Sequence, residues 1–80
     1  MAKSDILFRG NWLGFISNPT AHREIKEALR EIDHTVPHRR GIILGYRMLN
    51  LDSMKEEGLI TEGERRASHR ILQRGYDIID

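Results

Sequence analysis

Cysteine is absent from this 80-residue chain, which removes disulfides, thiolate zinc sites and a cysteine nucleophile and leaves the fold to stand on packing alone. That usage fits a reducing compartment. Prolines number only two and aromatic residues make up 6%, so there are few hard breaks and few large side chains from which to build a core. No apolar run approaches the roughly 18 residues of a membrane span, and the opening Met1 to Asp5 is polar with a single Lys. The expected location is therefore the cytoplasm, with no targeting segment. Neither sign of charge dominates: 13 Lys and Arg face 12 Asp and Glu, for a formal net charge of +1. Many nucleic-acid modules carry a strong positive excess, so any polyanion binding here has to come from local segregation of charge.

The length suits one compact domain spanning residues 1–80. An apolar fraction of 39% is modest for so small a chain, so the core should be thin and the stability about 3 to 5 kcal/mol. Dimerisation is one natural remedy. There is no internal repeat and no low-complexity linker.

The spacing predicts an α+β fold, mainly α, made of a short N-terminal β-hairpin and three helices. Ile6 to Ile16 is rich in β-branched and aromatic residues around Gly10-Asn11, a pair that tolerates the positive φ of a tight hairpin turn, so a hairpin is expected over about 5–17. An isolated hairpin is marginal in water, which makes Phe8, Trp12 and Phe15 its expected contacts with the rest. Asn18-Pro19 then announces a helix over about 19–33, on which Ala21, Ile25, Ala28, Leu29 and Ile32 form one stripe. His34-Thr35-Val36-Pro37 breaks it. A second helix is expected over about 37–57, and its apolar residues, from Ile42 to Met54, go nearly all the way round. A helix of that kind reads as central and buried, with Gly41 and Gly45 admitting another backbone and Gly58 ending it. Thr61-Glu62-Gly63-Glu64 is a capping box that opens a third helix over about 62–74. Beyond Gly75, the tail Tyr76 to Asp80 either folds back on the core or extends the helix.

Several constellations bear on chemistry. Gly58 to Glu64 matches the second half of an EF-hand loop, but the first half would place Ser53, Lys55 and Glu57 at the oxygen-ligand positions. A lysine there brings a positive charge to the ion, so a capped turn is the better reading. Met54 to Leu72, with its Gly58-Leu59-Ile60-Thr61 phrase, resembles a short helix-turn-helix tail; the resemblance covers under a third of the chain and carries no functional residue. A DNA-reading helix-turn-helix fits badly, since Met54 stands where a small residue is wanted and Glu64 where an apolar one should pack. His22, His34, His38 and His69 have no third ligand at a recognisable spacing and read as surface or capping histidines. Glu56-Glu57 reads as a solvated helix end. No serine lies in a strand-turn-helix elbow and no glycine-rich phosphate loop follows a strand, so no enzyme, metal or cofactor is expected.

The least ordinary feature is basic. Arg66, Arg70 and Arg74 stand four apart along one stripe of the third helix, with Arg65 and His69 in a parallel stripe and Arg39-Arg40 opening the second helix. Arginine outnumbers lysine in this set, which favours bidentate contact with carboxylate or phosphate. The competing reading is a solvated helix face partly neutralised by Glu62 and Glu64. The expected function is a small non-enzymatic binding protein that regulates or inhibits a larger macromolecule through this face, meeting an acidic protein surface. Trp12, Phe15 and Tyr76 are its candidate apolar anchors. Small stand-alone inhibitors of host machinery encoded by phages, anti-CRISPR proteins among them, share this size and lack of catalytic motif. Direct nucleic-acid binding by the same arginines is the alternative, and a self-associating structural subunit, in the simplest case a homodimer, is a further one. No membrane or small-molecule partner is expected.

Overall fold

A computed structural model describes residues 18–80. Within them the chain forms three helices: α1 (Pro19–Asp33), α2 (Arg40–Glu56), entered through a single 3-10 turn at Pro37–Arg39, and α3 (Glu62–Ile79). The expected α+β class is thereby corrected to a helical bundle, since no strand occurs among the described residues. The hairpin expected over 5–17 lies outside them.

Local signals explain where α1 and α3 begin. Asn18 caps α1 through its side-chain oxygen, which accepts from the amides of Thr20 (2.9 Å) and Ala21 (3.5 Å), and Pro19 fills the first helical position, where no amide partner is needed. At α3 the reciprocal box is complete: Thr61 Oγ1 accepts from the Glu64 amide at 3.1 Å, and Glu64 Oε1 accepts from the Thr61 amide at 2.7 Å. The two caps are joined. Asn18 Nδ2 donates to the Leu59 carbonyl (3.0 Å) and to Glu64 Oε1 (3.3 Å), tying the start of α1 to the start of α3.

Between α2 and α3 the chain turns through Gly58, whose φ of +79° is the left-handed region that glycine enters without a Cβ penalty. The Gly58 amide donates to the Lys55 carbonyl and the Leu59 amide to the Met54 carbonyl, the paired bonds of a Schellman stop. At the other end of the bundle, Arg40 Nε donates to the carbonyls of Ile32, which also accepts from the Thr35 amide, and of Thr35, both at 3.1 Å, so the guanidinium closes the turn that follows α1.

Two further expectations are corrected. The second helix is not the central one. It buries only Leu44 and Leu51, whereas α1 buries Ala21, Ile25, Ala28, Leu29 and Ile32, and α3 buries Ser68, Ile71, Leu72, Gly75 and Ile79. In a three-helix bundle each helix has two neighbours and one outward side, so a helix that is apolar all round must leave some of that surface uncovered. On α2 the uncovered residues are Ile42, Tyr46 and Leu49. The third helix does not end at 74; it runs on to Ile79, and the tail becomes its last turn.

Gly75, within α3, leaves the space that the Leu29 side chain of α1 fills. A Cβ there would overlap Leu29 Cδ2 and lie 3.0 Å from Leu29 Cδ1. With Ala21 and Ala28 on α1 and Ser68 on α3, the seam between these helices sets small residues among large buried ones, Ile25, Leu29, Leu72 and Ile79, all wholly buried.

Candidate functional site

The basic residues singled out from the sequence divide into three groups in the structure. Arg65 is held inward. Its Nε donates to Glu62 Oε2 at 2.9 Å, its Nη2 to the other Glu62 oxygen, and its Nη1 to Asp52 Oδ1 at 3.1 Å, so it bridges α3 to α2. His69, one turn on, places Nε2 3.0 Å from the same Asp52 oxygen, at an angle that makes no hydrogen bond, so the contact is an ion pair when the ring is protonated. Arg40 belongs with them: its guanidinium closes the end of α1 and lies 3.6 Å from Asp80 Oδ1.

Electrostatics confirm that Arg65 and Glu62 are committed to each other. The Glu62 carboxyl is held down at about 2 by its hydrogen bond from Arg65, with Arg66 adding to the effect, and the Arg65 guanidinium is raised above its usual value by Glu62 and then Asp52. Glu64 is likewise lowered, first by the Thr61 amide and then by Asn18, which marks it as part of the cap. Asp52, Glu62 and Arg65, with Lys55 and Glu56, line a polar depression at the α2–α3 turn. It is a surface feature, open to water.

Arg66 is intermediate. Its Nε donates to Glu62 Oε1 at 3.1 Å, yet the side chain stays 73% exposed, and an exposed pair of this kind stabilises little. Arg70 and Arg74 form the third group. Both are exposed, and neither makes a hydrogen bond or ion pair among the described residues. Arg39, on the 3-10 turn before α2, is exposed in the same way.

Of the candidate apolar anchors, Tyr76 is half-buried and packs against the core with its hydroxyl beside Gly41. Trp12 and Phe15 lie outside the described residues. The apolar group that does stand beside the basic row is Ile78, 53% exposed and four residues beyond Arg74, so Arg66, Arg70, Arg74 and Ile78 follow one line along α3. Its signal is present in the spacing, but reading residues 75–80 as a separate tail breaks the line.

Arg47 is a second residue that sequence reasoning passed over. It reaches from α2 to two carboxylates of α1, Nη1 to Glu24 Oε1 and Nε to Glu31 Oε1, both at 2.9 Å. Burial works against its charge, but the two carboxylates outweigh it and the guanidinium is raised overall. A lone arginine in an apolar stretch, and two glutamates seven apart beside the first helix's apolar stripe, could have paired them. Among the described residues no three side chains gather as a metal site, and no helix is long and apolar enough to cross a membrane. No protein-family model, curated protein or solved structure is significantly similar to this chain.

Proposed function

We propose that this is a small non-enzymatic binding protein whose recognition element is the outward line of α3, Arg66, Arg70, Arg74 and Ile78, which meets an acidic protein surface and thereby regulates or inhibits the molecule that carries it. One observation supports this above others. Six ion pairs engage Arg40, Arg47, Arg65 and, when protonated, His69 with the molecule's own carboxylates, while Arg70 and Arg74 are exposed and have no partner among the described residues. Guanidinium forks left open in this way suit bidentate capture of carboxylates, and an exposed isoleucine at the end of the row offers the apolar contact that protein interfaces add to charge.

The test is recovery of partners from a nuclease-treated lysate by the wild type and by R70E/R74E. Loss of the recovered protein from the variant, with helicity intact, is the expected result. Equal recovery removes the basic row from consideration. If nuclease alone abolishes recovery and affinity falls steeply with salt, the arginines read phosphates of a nucleic acid instead.

A further inference from the structure

The outward face of α2 is a different surface, and it uses none of the α3 row. Ile42, Tyr46 and Leu49 stand three and four apart and are 61%, 64% and 62% exposed. At 100° per residue these three and Ser53 fall on one side of the helix, opposite the buried Leu44 and Leu51. Gly45, on the flank of this stripe, has no atom of the described residues within 4 Å of the place where a side chain would stand. An apolar strip with a low flank accepts a closely approaching helix.

The charges at the two ends of the strip indicate which helix. At its start stands Arg39, exposed and unpaired among the described residues; at its end stand Glu56 and Glu57, both exposed, with Glu57 likewise unpaired. A parallel neighbour of the same sequence would set like charges together at each end. An antiparallel one reverses this. A two-fold axis crossing the strip between Tyr46 and Leu49 lays Tyr46 on the partner's Leu49, sets Ile42 near the partner's Ser53, and brings Arg39 to the partner's Glu56 and Glu57. Each contact then occurs twice, as an isologous interface requires. We infer that α2 is the dimerisation helix of this protein, its Ile42-Tyr46-Leu49 strip packing antiparallel against the same strip of a second copy, with register set by Arg39 against Glu56 and Glu57. The strip is narrow, so association is weak and is read at high protein concentration.

Sedimentation equilibrium over a wide concentration range tests it with three proteins: the wild type, R39E and the double variant E56R/E57R. The wild type should dimerise. Each variant alone meets like charge twice and should dissociate roughly tenfold more readily, a modest effect because exposed pairs are screened by water. Mixed in equal amounts, R39E and E56R/E57R should recover the association. One variant then carries carboxylates at both ends of its strip and the other carries guanidinium groups at both, so every pair across the axis joins opposite charges. Circular dichroism confirms that each variant is folded, as expected for exposed side chains. A wild type that stays monomeric overturns the inference, and so does a mixture that associates no better than its components. A monomer in which Tyr46 is nonetheless shielded from solvent quenchers overturns it in favour of the chain's first 17 residues as the cover.

Discussion

The α1–α3 seam and the outward face of α2 are built from the same kinds of aliphatic residue, yet the seam is dry and the face is wet. Leu29, Leu72 and Ile79 have no exposure at all, while Ile42 and Leu49 keep more than half of theirs. The difference is complementarity. On α1 and α3 the large side chains meet small ones, and Gly75 leaves the space that Leu29 fills. On α2 the large side chains outnumber the surfaces offered to them. Apolar content therefore marks which residues can be buried, and the opposing shape decides which are.

The sharpest way to break this comparison is to truncate one leucine on each side. Leu29→Ala should cost about 3 kcal/mol, within the range for a fully buried leucine that leaves a cavity, which approaches the whole stability of so small a domain. Leu49→Ala should fall within about 0.5 kcal/mol at protein concentrations too low for self-association. Urea denaturation of both variants measures the contrast, and similar losses would dissolve it. A matched pair of glycines gives the next largest effect. At Gly45 an added methyl meets none of the described residues, so Gly45→Ala should stabilise by roughly 0.5 to 1 kcal/mol through helix propensity alone. At Gly75 the same gain is opposed by overpacking against a buried Leu29, and a net loss of about 1 to 2 kcal/mol is expected. If both substitutions stabilise, the seam is looser than Leu29 implies.

Much of the bundle could be read from local signals. The Asn18-Pro19 entry, the stripe from Ala21 to Ile32, the Thr61 capping box and the Gly58 stop each involve residues within a few positions, so spacing alone reports them. What the spacing could not report depended on other elements. Whether α2 is central turns on how many faces its neighbours can cover. Whether Gly75 ends a helix or lies inside one turns on Leu29, forty-six residues earlier in the chain. The candidate site followed the same rule: the i, i+4 row was visible, but the commitment of Arg65 to Asp52 and of Arg40 to the end of α1 is tertiary, and it removes those residues from the open surface.

A smaller effect, at the start of α3, appears with pH. Glu62 titrates at about 2 in the folded chain against 4.5 for the free group. Because the folded value is the lower one, its contribution to stability is fully present above about pH 4.5 and is lost as pH falls toward about 2. Glu64 is shifted in the same direction and adds to the same window. Denaturation midpoints followed from neutral to acid pH should therefore drop across that interval, and Glu62→Gln should lower the plateau while flattening the drop. An unchanged slope in the variant would show that other carboxylates govern the acid limb.

A comparably small effect lies within the seam itself. Ser68 is wholly buried, and its hydroxyl has no hydrogen-bond partner among the described residues. A buried donor without an acceptor carries a desolvation penalty of about 1 to 3 kcal/mol, and serine is a poorer helix former than alanine by a few tenths. Ser68→Ala removes one oxygen, keeps the seam's small-residue shape, and gives up some packing contact. The sum should be a gain of about 0.5 to 1 kcal/mol, seen as a higher urea midpoint with an unchanged slope. A loss instead would mean that the hydroxyl is hydrogen-bonded in solution, and that the seam owes part of its closeness to a polar contact as well as to the fit of small residues against large.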